Sequence, residues 1–162
     1  LIVLGIDIGM SGAVAAMDSR SYQVHDLPIS IDGVKRLDGR LLINLLRQFI
    51  GPGEPFACIY EDISVRPSAG RLMSHKTEAA LSRARGCLEG VLDIMRCEER
   101  HHVSPKAWQK FYGLPGGKQG KAESLRIARE LYPMQAHMLT RQADHGRSDS
   151  LLMAGYYMAK LA

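Results

Sequence analysis

Leu1-Ile2-Val3-Leu4-Gly5-Ile6-Asp7-Ile8-Gly9 is the stretch whose reading decides the fold. An almost unbroken apolar run of this length suits a strand covered on both faces, so residues 2 to 8 are read as a central strand with Asp7 carried to its end. Gly9, Ser11 and Gly12 supply a turn. Working outward, Ala13 to Asp18 reads as a second strand and Tyr22 to Leu27 as a third, and the short connections make the three an antiparallel meander. Pro28 closes it.

Asp38 is read as a helix cap, because Leu41, Leu42, Leu45, Leu46 and Phe49 follow at the three- and four-residue spacings of one apolar stripe. Gly51-Pro52-Gly53 stops that helix. Phe56-Ala57-Cys58-Ile59-Tyr60-Glu61 gives another strand ending on an acid, followed by a polar loop from Ser64 to Arg71 and a long helix over 75 to 96. The stripe of that helix is Leu81, Ala84, Leu88, Val91, Leu92 and Met95. A fifth strand is expected near His101-His102-Val103, with Ser104 capping and Pro105 opening a short helix. The glycine-rich stretch Gly113 to Gly120 leads to a helix at 121 to 132, and a last helix is expected at 148 to 161. Three strands, then helix, strand, helix, strand and helix, make an α/β ribonuclease H-like order with a five-stranded mixed sheet.

No linker, repeat or low-complexity tract divides the 162 residues, so a single domain over 1 to 162 is expected. Hydrophobic residues make up 46% of the chain and are broken by charges throughout, which argues against a bilayer span and a membrane partner. Cys58, Cys87 and Cys97 are odd in number and lack metal-ligand spacing, as expected of buried thiols in a reducing compartment. A cytoplasmic location is the expectation, bacterial or phage-encoded, or organellar if a transit peptide has been trimmed. Residues 1 to 63 hold five basic and eight acidic side chains, whereas residues 64 to 126 hold twelve and six. A basic middle beside an acidic first third suits a surface that grips phosphates next to carboxylates that bind metal, although a solvated helix face gives the same count.

Four acids stand where this topology carries them toward one sheet edge: Asp7, Glu61, Asp144 and Asp149. Carboxylates gathered from distant positions repel one another unless hard cations offset them, which points to metal-dependent phosphodiester cleavage. Two such ions about 4 Å apart orient a water and stabilise a departing oxygen. Glu61 is followed by Asp62, and because strand side chains alternate, one of the two faces Asp7. Asp149 lies one turn before Leu152 and Met153, on the face that packs against the sheet. Asp144 also reads as a plain helix cap.

The ordered set Gly5-Ile6-Asp7-Ile8-Gly9, Tyr60-Glu61 and Asp144-His145-Gly146-Arg147-Ser148-Asp149-Ser150-Leu151-Leu152 resembles the RuvC-type Holliday junction resolvases. Lys35-Arg36-Leu37-Asp38 and Val103-Ser104-Pro105-Lys106-Ala107-Trp108 add a likeness to the phage and chloroplast branch. The resemblance implies resolution of four-way DNA junctions by a homodimer making paired nicks. It also implies two Mg²⁺ ions, with Mn²⁺ as a substitute, held by Asp7, Glu61, Asp144 and Asp149. The five-residue spacing of the last two leaves open whether Asp144 or His145 meets the second ion. A lysine near the scissile phosphate is implied as well: Lys118 and Lys121 both qualify, with Lys118 preferred because it lies in the glycine-rich segment. Arg66, Arg71, Lys76, Arg83 and Arg85 are read with them as backbone-binding residues. Trp108 is read as core. Asp7-Ile8-Gly9-Met10-Ser11-Gly12 also resembles the first phosphate segment of sugar kinases and actin-like ATPases, but the chain is too short for their second domain, so no nucleotide cofactor is expected. Cleavage of RNA and DNA hybrids and a non-catalytic junction-binding module are the alternatives.

Overall fold

The computed structural model describes residues 1–62 and 74–160. Strands β1 (Ile2–Asp7), β2 (Ala13–Met17) and β3 (Tyr22–Asp26) form the expected meander. A two-residue ladder of β4 (Ile29–Ser30) with β5 (Arg36–Leu37) follows, which the sequence pattern did not announce. Helix α1 (Gly39–Leu46) begins where Asp38 accepts a hydrogen bond from the Leu41 N–H at 3.0 Å, and it ends a turn before Phe49. Next come β6 (Phe56–Glu61), α2 (His75–Ile94), β7 (Glu99–Val103), α3 (Pro105–Phe111), α4 (Gly117–Leu131), two short 3-10 turns, and α5 (His145–Lys160). The sheet order is β3-β2-β1-β6-β7, with β6 parallel to β1 and β7 parallel to β6. This is the five-stranded mixed sheet of the ribonuclease H-like fold.

Two cores flank the sheet because β1 and β6 are apolar on both faces. Leu4, Ile6, Cys58 and Tyr60 pack under α1 and α2, against Leu42, Leu46, Leu88 and Leu92. Val3, Ala57, Ile59 and Trp108 pack on the other side with Leu151, Leu152 and Tyr157 of α5. Gly5 faces α5 so closely that an added Cβ would collide with the Ser150 carbonyl oxygen and the Ala154 backbone nitrogen. The absence of a side chain there lets the last helix lie directly on β1, and it sets the depth at which α5 presents its first turns.

Two helix starts differ from the sequence pattern. Helix α4 opens at Gly117, whose φ of 69° is a left-handed value that favours glycine, so the Gly113 to Gly120 stretch is half helix rather than a free loop. Helix α5 opens at His145, three residues early. Ser104 precedes Pro105 as expected but makes no side-chain capping bond. Among the described residues, no helix is long and apolar enough to cross a membrane.

Candidate active site

Strand register brings the first two acids together. Ile6 pairs with Tyr60 in the parallel β1 and β6 ladder, so Asp7 and Glu61, one residue further on, are neighbours. By alternation both share the face of Val3, Ala57 and Ile59, which α5 covers. The first turns of α5 then close over them: a Cβ added to Gly146 would stand 2.9 Å from the Asp7 carboxylate. Asp149 comes from the next turn of the same helix.

The three carboxylates act on one another. Burial, with Asp149 and Glu61 nearby, pushes Asp7 up from 3.8 to about 8, and among the described residues the Lys121 ammonium opposes them. Burial also raises Glu61, opposed by a hydrogen bond from Trp108, while Asp149 adds to the rise. Asp149 is raised by burial, with Ser124, His145 and Lys121 pulling the other way. Three acids in one neighbourhood, all shifted toward the neutral form, are costly to ionise together without a cation.

Polar side chains fix the rotamers of two of them. The Trp108 indole N–H donates to Glu61 Oε1 at 3.0 Å from a position with no exposed surface. Trp108 is therefore core, as read, and also the support of a site residue. Its lone buried N–H, which needs an acceptor, was the available signal, but the partner is 47 residues away in the chain. Ser124 donates to Asp149 Oδ1 and stands 2.8 Å from the Ser148 hydroxyl. Nothing in the sequence pattern singled it out.

The structure places Asp144 among different partners from the other three acids. Its carboxylate is buried against two arginines: Arg141 donates from its backbone N–H at 2.8 Å and from Nη2 at 2.8 Å, and Arg147 Nη1 lies 3.4 Å away. The Arg141 hydrogen bonds hold it below the usual carboxylate range. These bonds tie down the turn that enters α5. His145, the open alternative, borders them. Its Nδ1 lies 3.2 Å from the Gln142 carbonyl, which can only accept, so Nδ1 carries the proton and Nε2 accepts from Lys121 Nζ at 3.4 Å.

The two lysines separate for the same reason that α4 starts early. Both lysines are exposed, but Lys121 lines a cavity of about 250 Å³ with Trp108, Gly116, Ser124 and Asp149, which Lys118, on the first turn, does not. The ammonium beside the carboxylates is thus Lys121, not the preferred Lys118. Asp62, the rival of Glu61, has Arg85 Nη1 at 3.7 Å. Arg85 in turn donates to Glu89 at 2.9 Å and contacts His102 Nδ1 at 3.0 Å, so its guanidinium is already engaged within the protein. Lys76 is exposed and lines a groove of about 330 Å³ beside Gly9 and Met10. Arg83 is exposed too, facing Arg36 across a second groove of about 440 Å³. Arg66 and Arg71 lie outside the described residues.

Among the described residues, no three His, Cys, Asp or Glu side chains converge into a finished coordination shell. The donor chemistry of Asp7, Glu61 and Asp149 nevertheless suits hard cations: oxygens only, half-buried, mutually repulsive and, among the described residues, without a guanidinium partner.

No protein-family model matches the chain. Over 51 residues, 32% of its length, it is 43% identical to the chloroplastic Holliday junction resolvase MOC1 of Chlamydomonas reinhardtii, and the match spans 6% of that longer protein. Its fold superimposes on Thermus thermophilus RuvC in complex with a Holliday junction substrate with a TM-score of 0.59, at 12% identity, covering 98% of this chain and 96% of the other. A second Thermus thermophilus RuvC structure gives a TM-score of 0.58 at 14% identity and the same coverage. The fold is the RuvC fold.

Proposed function

We propose that the chain is a metal-dependent endodeoxyribonuclease that resolves four-way DNA junctions by paired, symmetric phosphodiester hydrolysis. The observation that carries this reading is the trio of half-buried, mutually destabilising carboxylates, Asp7, Glu61 and Asp149, at one sheet edge with Lys121 close by. The RuvC fold and the partial match to a chloroplast resolvase support the junction as substrate.

Asp7, Glu61 and Asp149 would hold two magnesium ions, with His145 at their border. Bound there, such ions supply an activated water and neutralise the charge that develops on the departing 3′ oxygen. The chain's own residues do the rest. Trp108 holds the Glu61 carboxylate in one orientation, and Ser124 does the same for Asp149. Lys121, steadied by His145 Nε2, presents its ammonium to the scissile phosphate. Lys118, Lys76 and Arg83 neutralise backbone phosphates of the arms. Two symmetric nicks need two such sites, so the working form is a two-fold dimer.

The test is incubation with a four-way junction whose core can migrate, in Mg²⁺ or in EDTA, beside an RNA and DNA hybrid. Paired nicks in Mg²⁺ alone are expected. Preferential cutting of the hybrid would assign the site to ribonuclease H chemistry, and tight junction binding without cleavage would make the chain a binding module.

A further inference from the structure

Cys58 lies mid-strand in β6 with no exposed surface, and its side chain enters the core beneath α1 and α2, on the face opposite Glu61. Cys97 follows α2, just after Arg96, whose φ of 58° turns the chain back toward the sheet. The Cys97 N–H donates to the Leu92 carbonyl at 3.0 Å and the Glu98 N–H to the Phe56 carbonyl at 3.1 Å, so this turn is clamped to both α2 and β6. The result is a Sγ–Sγ distance of 3.6 Å between thiols 39 residues apart. A disulfide needs about 2.05 Å, so a shift of roughly 1.5 Å through side-chain torsions closes the gap.

The pair is also asymmetric. Cys97 is half-buried and open to a small reagent, whereas Cys58 is not. The hydrogen bond between them holds the Cys97 thiol low and pushes the Cys58 thiol up, and the Arg100 guanidinium favours the thiolate of either. Arg100 sits opposite Cys58 in the β6 and β7 register and is anchored by Asp93 at 2.6 Å. Cys87 stands apart, its Sγ directed to the Leu37 carbonyl at 3.6 Å.

We propose that Cys58 and Cys97 form an oxidisable dithiol, a modification site at which hydrogen peroxide produces an intramolecular disulfide. The Cys97 thiolate attacks one peroxide oxygen and the O–O bond breaks, giving a sulfenic acid and, after proton uptake, water. The Cys58 sulfur then attacks the Cys97 sulfur; its proton leaves with the displaced hydroxide as a second water. Two thiols and one peroxide become one disulfide and two waters. The bond ties the α2–β7 turn to β6 and leaves the acids on the other face untouched.

The test is brief exposure of the full chain to hydrogen peroxide, followed by alkylation under denaturing conditions and mass analysis. The expected product is two hydrogens lighter, takes one alkyl group, at Cys87, instead of three, yields a Cys58–Cys97 cross-linked peptide, and reverts with dithiothreitol. Its melting temperature should rise by at least about 5 °C, since the bond restricts the unfolded chain. Cys97→Ala, treated alike, should take up two alkyl groups with no melting shift, and Cys58→Ala, which leaves Cys97 without a resolving partner, should gain oxygen at Cys97 and form no cross-link. Three alkylations in the treated wild type, a cross-link through Cys87, or conversion of Cys97 to the sulfinic acid with Cys58 still reduced would each overturn the proposal.

Discussion

At neutral pH and without a cation, Asp7 keeps a proton in the folded chain, because burial and its two acidic neighbours raise it from 3.8 to about 8. The unfolded chain releases that proton near pH 4. Between the two values the native state binds more protons, so stability should fall as pH rises from about 4 to 8, with Asp7 contributing at most about 1.4 kcal/mol per pH unit. Melting curves in EDTA across that range should show the decline, Mg²⁺ should abolish it at pH 8, and Asp7→Asn should flatten it while eliminating cleavage. A wild-type profile flat in EDTA would mean that Asp7 is ionised without help. The neighbouring carboxylates allow a second prediction. Glu61→Gln should be inactive and Asp62→Asn active, since Arg85 already neutralises Asp62. Trp108→Phe keeps the buried ring but deletes the N–H to Glu61, and single-turnover cleavage should slow by roughly 10- to 100-fold. A rate unchanged from wild type would remove Trp108 from the support of the site.

Helix α5 shows what was legible in the sequence and what was not. Its apolar residues and Asp149 follow from helical spacing, because a charge on a packed face needs a reason. Its start does not follow, since the 3-10 turn and the Arg141 pairing that set it are choices of tertiary context. The same blindness placed Lys118 ahead of Lys121: a run of glycines reads as a loop until Gly117 is seen to open a helix. Strands were easier, since β1 and β6 are apolar on both faces and could only be central. Asp144 separates the two accounts experimentally. As a lock for the helix entry, Asp144→Asn should destabilise the fold by roughly 2 kcal/mol, through weakened charge-assisted bonds to Arg141 and Arg147, and still cut junctions well below its melting point. As a metal ligand it would fold normally and not cut. Gly5→Ala tests the seat of the helix itself. Its new methyl meets backbone atoms of α5 that cannot rotate away, so a loss of about 3 kcal/mol or more is expected by chemical denaturation.

Across the whole molecule, the basic middle of the chain divides into cations spent on the protein and cations held out to solvent. Arg85, Arg100 and Arg126 are tied to Glu89, Asp93 and Glu123. Lys76 and Arg83 are exposed, make no ion pair with another described residue, and lie seven residues apart on one side of α2, each on a groove. Net positive charge alone treats all five alike; the ion pairs set three of them apart. Each phosphate neutralised by an exposed cation contributes about 0.9 to the slope of log affinity against log salt. The double variant Lys76→Ala, Arg83→Ala should therefore lower that slope by roughly 1.8 and weaken junction binding at low salt, while saturated single-turnover cleavage stays near wild type. Lys121→Ala should do the reverse, slowing cleavage with little change in slope, because its ammonium faces the carboxylates beside Asp149. Binding isotherms over a salt series with single-turnover rates at saturation separate the two. If the double variant keeps the wild-type slope, the arms do not cross α2, and the phosphate path runs along α4 instead, past Lys118.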